Sequence, residues 1–396
     1  MTDATGRSFF CYRSKRKDDN ALVIAAQRDH GIPTWHDEDL DELPVEEEIR
    51  RILRDENLVA NAIIWVTPDA AESGFIKNIE SPEILGRRGE GDPFFVLPVF
   101  AGGSTFCPET DERFRGWKVL QLENKAIGPD EAAAIARRVL DRRVRAVEAQ
   151  LEPGFPHRIS LHTYESAPFR PGTTLSLDWS GRCPNREISG EVWSERLLPA
   201  LRAVASTMYQ WGGGRPIVAG GLASLPAVTA LGAAFPEQRG QTICWNQYTP
   251  GVPDQHWSLA VPAEEAGFEV KITPGDSRAV DLAVLVSVKE IAQQDFSDCK
   301  DSLPAFRAEV HIARKDLRPY VIPSPGQATC IARQVAAAMR EARRECGAIG
   351  RVHLFMAVPA GLAMMIGQLL NTFGPVQTYE RFATGTPYRP AALLGQ

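Results

Sequence analysis

Residues 215–235 read RPIVAGGLASLPAVTALGAAF, and residues 351–370 read RVHLFMAVPAGLAMMIGQLL. Laid over each other with an offset of 135 residues (217 to 352), Ile217-Val218 falls on Val352-His353 and Leu231-Gly232 on Ile366-Gly367. Each copy reads as a strand, a turn of small residues, and an apolar helix that carries a glycine. Small residues at a strand end let backbone amides approach a bound group. Any two strand–helix units share part of this pattern, but the common offset favours duplication of one unit. The back of the chain is therefore expected to hold a repeated βα element.

The front of the chain alternates strand and helix throughout. Candidate strands are SFFCY (8–12), IPTW (32–35), AIIWVT (62–67), FFVLPVF (94–100) and WKVLQL (117–122). NALVIAAQRDHG, closed by Gly31, and PVEEEIRRIL, opened by Pro44, read as helices between them. Such alternation predicts an α/β fold with a five-stranded parallel sheet, whose ligands bind beyond the carboxyl ends of the strands. A long helix from Pro129 runs toward Gly154 and Pro156, and the sequence predicts a boundary there. The expected domains are 1–150 and 155–396.

With 396 residues, more than one core is expected. The net charge of −6 argues against a general DNA binder. Seven scattered cysteines, with no CxxC pair and no Cys/His cluster, predict reduced thiols in a cytoplasmic protein and no metal site. No signal peptide and no membrane span are expected. No Walker A motif, no GxGxxG after a strand and no GxSxG occurs, so kinase, dehydrogenase and serine hydrolase readings lose support.

What remains is a set of strand ends. The first strand closes on FFCYRS, with Tyr12, Arg13 and Ser14 at its end. The second runs into an acidic loop carrying Trp35 and Asp37. The third leads to ESGFIKNIESPEIL, where Ser73 is a candidate N-cap and Glu80 lies one turn after Ile76. Neighbouring strands would bring two aromatics, an arginine and a carboxylate together. Taken alone, Glu80 also reads as a solvated helix acid, and Trp35 and Tyr12 as packing residues.

FFCYRS, GIPTWHDEDL and SGFIKNIE, in this order and spacing, resemble the first-strand box, the BB loop region and the αC box of the TIR (Toll/interleukin-1 receptor) domain, over residues 8–125. The resemblance implies a flavodoxin-like domain that cleaves the nicotinamide–ribose bond of NAD, with Glu80 as its catalytic carboxylate. It also implies Phe10, Tyr12, Arg13, Ser14, Trp35 and Asp37 as NAD contacts. One departure is visible: the family's aromatic stands four residues before the glutamate, whereas Phe75 stands five before Glu80. Glu83 is the rival. It also reads as the first-turn acid of a helix restarted at Pro82, with Ser81 as N-cap.

The two repeat copies, DLAVLVSVKEIAQQDF (281–296) and TYERFATGTPYRP resemble a SAVED domain, the sensor of bacterial cyclic-oligonucleotide (CBASS) antiphage immunity. Its fold is a pair of fused CARF-like Rossmann units. The resemblance implies a cyclic oligonucleotide, expected to be a cyclic trinucleotide, as activator. Candidate contacts at strand ends are Trp179, Ser180 and Arg182; Ser287 and Lys289; Ser224 and Gly361; and Tyr388 with Arg389. Each has a packing or surface reading beside it.

Together these imply an NAD nucleosidase of antiviral defence, switched on by a cyclic oligonucleotide and by assembly into homo-oligomers or filaments. NAD is its substrate, and no cofactor, membrane or DNA partner is expected. The alternatives are a non-catalytic TIR scaffold recruited by the second messenger, and a TIR-like part that makes a different nucleotide product.

Overall fold

The computed structural model describes residues 1–12, 17–35, 45–70, 73–87, 91–105, 107, 114, 119–123, 127–249, 252–314, 320–382 and 386–395. The chain divides into two compact units. The first comprises Met1–Arg158, Pro168–Asp178 and Ser206–Gly213, and the second Ile159–Ala167, Trp179–Ala205 and Gly214–Gln396.

The first unit is built on β1 (Arg7–Cys11), α1 (Lys17–Asp29), β2 (Thr34–Trp35), α2 (Val45–Arg54), β3 (Val59–Val66), α3 (Ser81–Gly86), β4 (Phe95–Ala101), β5 (Leu120–Glu123) and α4 (Pro129–Gln150). Its sheet has the order β2-β1-β3-β4-β5 with every pairing parallel. The order reverses between β1 and β3, the switch point where doubly wound sheets hold ligands. VANAIIWV of β3 is buried along nearly its whole length, as a strand covered on both faces must be. Phe9, Ile64, Ile52 and Phe100 share one apolar cluster on this sheet.

Arg143 on α4 is fully buried. Its guanidinium donates to the carbonyl oxygens of Thr5 at 2.6 Å, Gly6 at 2.5 Å, Thr174 at 2.7 Å and Thr173 at 3.2 Å. No carboxylate pairs with it in this set, and burial lowers its pKa to about 10. β6 (His157–His162) follows, then β7 (Leu175–Asp178). Ser176 N–H donates to Gly31 O at 2.7 Å. Gly31 has φ +79, and a Cβ there would meet Leu175 Cβ at 3.0 Å, so the turn after α1 calls for glycine.

The second unit continues with α5 (Gly190–Val192), α6 (Leu198–Trp211, shared with the first unit), β8 (Ile217–Gly220), α7 (Leu225–Ala234), β9 (Ile243–Thr249) and β10 (Val252–Trp257). β9 pairs parallel with β8 and antiparallel with β10. A six-stranded sheet holds β11 (Phe268–Pro274), β12 (Asp281–Ser287), β13 (Phe306–Arg314), β14 (Val352–Ala357), β15 (Val376–Glu380) and β16 (Arg389–Leu394). Its order is β11-β13-β12-β14-β15-β16, parallel from β13 to β15 and antiparallel at both edges. α8 (Ala292–Cys299), α9 (Pro325–Cys346) and α10 (Ala360–Gln368) complete it. α8 packs on β12 and β14, and α9 on β11, β12 and β13.

The repeat is now visible in three dimensions. β8 and β14 begin at Ile217 and Val352, and α7 and α10 at Leu225 and Ala360, each pair 135 residues apart. The two helices pack on each other. A Cβ on Gly232 would lie 2.0 Å from Met364 O, and one on Gly367 would lie 2.2 Å from Thr229 O. Each glycine thus admits the backbone of the opposite helix. That is the physical reason for the matched pair in the sequence.

Candidate functional site

In the first unit the stretch after β3 opens at Ser73, whose hydroxyl accepts Ile76 N–H at 3.4 Å, the expected N-cap bond. Residues Ile76–Glu80 then form a π-turn, closed by Ser81 N–H on Ile76 O. An i→i+5 turn holds one more residue than an α-turn. The five-residue spacing of Phe75 and Glu80 thus spans one turn. Glu80 is 6% exposed, on the buried side with Ile76 and Ile79.

The expected helix break at Pro82 does not occur. Glu80 (φ −64, ψ −52) and Ser81 (φ −60, ψ −45) stay helical, and α3 follows directly, with Pro82 in its first turn. A first-turn proline needs no N–H partner, so the helix runs on. Ser81 is therefore inside the helix and not an N-cap. Glu83 is held by two arginines of α2, by Arg50 at 2.6 Å and by Arg54 at 2.9 and 2.6 Å. The bonds from Arg54, with Arg50 behind them, hold its carboxyl below the usual range. Glu83 is occupied in an ion-pair network, whereas Glu80 is buried in the same turn as the core residues Ile76 and Ile79.

Of the other residues expected here, Tyr12 is half-buried just past β1, and Phe10 is buried. Trp35 is a correction: it is 4% exposed and its ring stacks on Phe9 with centroids 5.1 Å apart. Its register partner on β1 is that same Phe9, so it covers the sheet and offers little ring to a ligand. Arg13, Ser14 and Asp37 lie outside the described residues.

In the second unit a polar cluster forms where three strands end. Thr163 and Tyr164 follow β6, Ser224 follows β8, and Glu380 closes β15. Ser224 N–H donates to Thr163 Oγ1 at 2.8 Å, and its Oγ accepts Ala227 N–H at 3.4 Å as the N-cap of α7. Tyr164 donates its phenol proton to Glu380 Oε1 at 3.2 Å. Burial pushes the Glu380 carboxyl up to about 7, against the hydrogen bonds of Tyr164 and Ser224. Burial and the nearby carboxylate raise the Tyr164 phenol as well. The guanidinium of Arg186 lies 5.3 Å from the Tyr164 ring centroid. Asn185 and Arg186 both have positive φ, 54° and 65°. Two successive non-glycine residues in this region store on the order of 1 kcal/mol each, a strain typical of sites.

Of this cluster the sequence offers only Ser224 as a candidate, and not Tyr164, Arg186 or Glu380. Only a glutamate ending a strand inside TYERFATGTPYRP signalled the last. The remaining candidates have other duties. Trp179 is fully buried and set edge-on to Trp193 at 5.8 Å, so it is core and not a stacking platform. Ser180 and Arg182 stand half-buried on the single turn that follows. Ser287 Oγ accepts Ala292 N–H at 3.0 Å, and Lys289 is exposed with its backbone N–H on Ala357 O at 2.9 Å. Gly361 N–H is taken by Gln247 Oε1 at 2.9 Å, and a Cβ there would meet Trp257 at 2.8 Å. Its small size serves packing. Tyr388 is 4% exposed, with its hydroxyl on Met356 O at 3.3 Å, so it cannot close over a ligand from outside. Arg389 is exposed and pairs with Glu187 at 2.8 Å. Among the described residues no group of three or more acidic, histidine or cysteine side chains is placed to hold a metal ion. No described helix is long and apolar enough to cross a membrane.

Residues 200–394 match the family model of the SMODS-associated and fused to various effectors sensor domain, SAVED, and form such a domain. No curated protein matches the chain. Among solved structures the chain is similar to the Acinetobacter baumannii Cap4 SAVED/CARF-domain containing receptor. In its complex with the cyclic trinucleotide 3'3'3'-cAAA, identity is 14% and the TM-score 0.51, over 97% of this chain and 100% of that one. In its complex with 2'3'3'-cAAA, identity and TM-score are the same, over 96% and 98%. The likeness is one of fold.

Proposed function

We propose that the SAVED domain of this protein binds a cyclic oligonucleotide, of which cyclic tri-adenylate is the first candidate, and thereby switches on an NAD-cleaving TIR domain in the first unit. The observation that carries the sensor half is the family match over residues 200–394, beside the cyclic trinucleotides bound by the Cap4 receptor of like fold. The cluster at the mouth of α7 suits such a ligand. Arg186 supplies a cation for phosphate and Tyr164 a ring face for a base. Glu380, near neutrality in its proton affinity, is able to present a protonated edge to a base without repelling phosphate.

The effector half rests on Glu80. A parallel sheet of order 2-1-3-4-5 and a buried carboxylate in the turn after β3 fit the TIR arrangement. Nicotinamide leaves the ribose as a neutral ring, so no general acid is needed. One carboxylate suffices to hold the ribose and stabilise oxocarbenium-like charge. The apolar flank of Ile76 and Ile79 keeps its field strong. In this reading the ligand joins protomers head to tail, raising the local concentration of TIR domains.

The test is NAD consumption by the purified protein with and without cyclic tri-adenylate, with light scattering on the same samples. We expect turnover only with ligand, accompanied by large particles, and its loss in Glu80→Gln with folding and ligand binding intact. Near wild-type turnover in Glu80→Gln overturns the assignment of that residue. Ligand-driven assembly with no NAD consumption favours the scaffold reading.

A further inference from the structure

The six-stranded sheet is covered unequally on the face that carries Ala283, Leu285, Phe355 and Tyr379. Here the cover is α8 and the short turn Lys300–Ser302, which packs Phe296 and Cys299 onto that face. The chain then turns off through Leu303 and Pro304 into β13. Beyond that point, among the described residues, no helix covers the same face, and a cavity of about 730 Å³ lies over the amino ends of β12, β14 and β15. That volume is in the usual range for small-molecule sites. Its polar residues Asp281, Arg351 and His353 lie at the other end of these strands from Glu380.

A hydrogen-bonded chain forms the polar part of the floor. His353 Nδ1 lies 2.7 Å from Tyr379 Oη, and its Nε2 lies 3.3 Å from Asp281 Oδ2. Asp281 Oδ1 accepts Arg351 N–H at 2.7 Å. Burial lowers the proton affinity of His353, which favours the neutral ring, and the carboxylate oxygen beside Nε2 accepts. The ring therefore donates from Nε2 to Asp281 and accepts the Tyr379 proton at Nδ1. Every bond of the chain is satisfied, so the floor is rigid. Leu303, Pro304, Pro375 and Pro390 supply flat apolar walls. Both Asp281 oxygens are engaged, and among the described residues the guanidinium of Arg351 at the rim makes no hydrogen bond or ion pair.

We propose that this cavity is a second ligand site, one that takes a ring-bearing anion of the size of a nucleoside monophosphate. The ring packs between Leu303 and the prolines, and a ring or ribose donor reaches Asp281. The anionic group meets Arg351, which binds phosphate or carboxylate through two N–H groups at once. The site does not depend on the function proposed above, since none of its residues belongs to the Glu380 cluster or to the first unit.

Calorimetry of the full chain with AMP, and with adenosine for comparison, tests it. We expect saturable AMP binding, with adenosine weaker by about tenfold or more. Arg351→Ala should bring AMP down to the adenosine level, and Leu303→Trp should abolish binding by filling the cavity. If Leu303→Trp melts early, Pro304→Trp, on an exposed wall residue, replaces it. Absence of AMP binding at millimolar concentration overturns the proposal. So does AMP binding that either the cavity-filling variant or Arg351→Ala leaves unchanged.

Discussion

The two βα copies of the second unit share a packing seam and differ at their mouths. At the seam each glycine faces the other helix's backbone, and neither position tolerates a side chain. At the mouth, α7 is capped from within by Ser224. α10 opens at Pro359, which has no hydroxyl, and Gln247 of β9 takes the N–H of Gly361 instead. The first mouth gathers Tyr164, Glu380 and Ser224, whereas the second is pressed by the Trp257 ring. A backbone constraint binds both copies at the seam. No such constraint acts at the mouths, so one became polar and the other a packed junction.

The largest effect should come from breaking the seam. Gly232→Leu and Gly367→Leu each force the helices apart and should cost about 3 kcal/mol or more, near the loss of the folded domain. Thermal melts of both variants check it. A large cost at one glycine alone would mean that the seam is not shared.

The next effect sharpens the chemical difference. The Glu380 carboxyl holds its proton to about pH 7 in the folded protein, against an ordinary value of 4.5. Folded protein thus binds more protons between those two values. Stability should be unaffected below about pH 4.5, fall as pH rises toward about 7, and level off above it. Glu380→Gln should remove this decline and gain on the order of 2 kcal/mol at pH 8. Denaturant melts from pH 4 to 8 on both proteins measure it, and identical slopes would refute it.

The smallest effect concerns the caps. Ser224→Ala should cost about 1 kcal/mol as a lost N-cap. Gln247→Ala should cost a similar 1–2 kcal/mol, about that of a buried N–H left unsatisfied. A cost for Ser224→Ala with none for Gln247→Ala would mean that the borrowed cap contributes nothing to α10.

The seam was legible because a backbone requirement leaves a mark at a fixed interval: two glycines 135 residues apart. The strand alternation of the first unit was legible because a short, β-branched apolar run such as AIIWVT reads as a buried strand. The polar cluster was not. Tyr164, Arg186 and Glu380 lie far apart in sequence, and only the fold brings them together. Trp179 misled because an aromatic at a strand end reads alike whether it faces solvent or Trp193. Pro82 misled because a π-turn has no signature of its own. The extra residue between Phe75 and Glu80 looked like a mismatch and proved to be one wide turn.

Arg143 carries a consequence for modular exchange. Two of its four acceptors, Thr173 and Thr174, come from a segment that follows β6, well beyond the end of α4. A gene fusion or expression fragment cut at residue 150 would keep the guanidinium and lose half of the carbonyls that satisfy it. A fully buried cation stripped of partners is among the costliest defects a domain can carry. Transplanting the first unit onto another partner domain, or another domain onto the second unit, therefore requires moving Pro168–Asp178 along with the amino-terminal sheet. The exchangeable cassette is a discontinuous one, and a splice that respects only the linear order of the chain would produce protein that is made and then degraded.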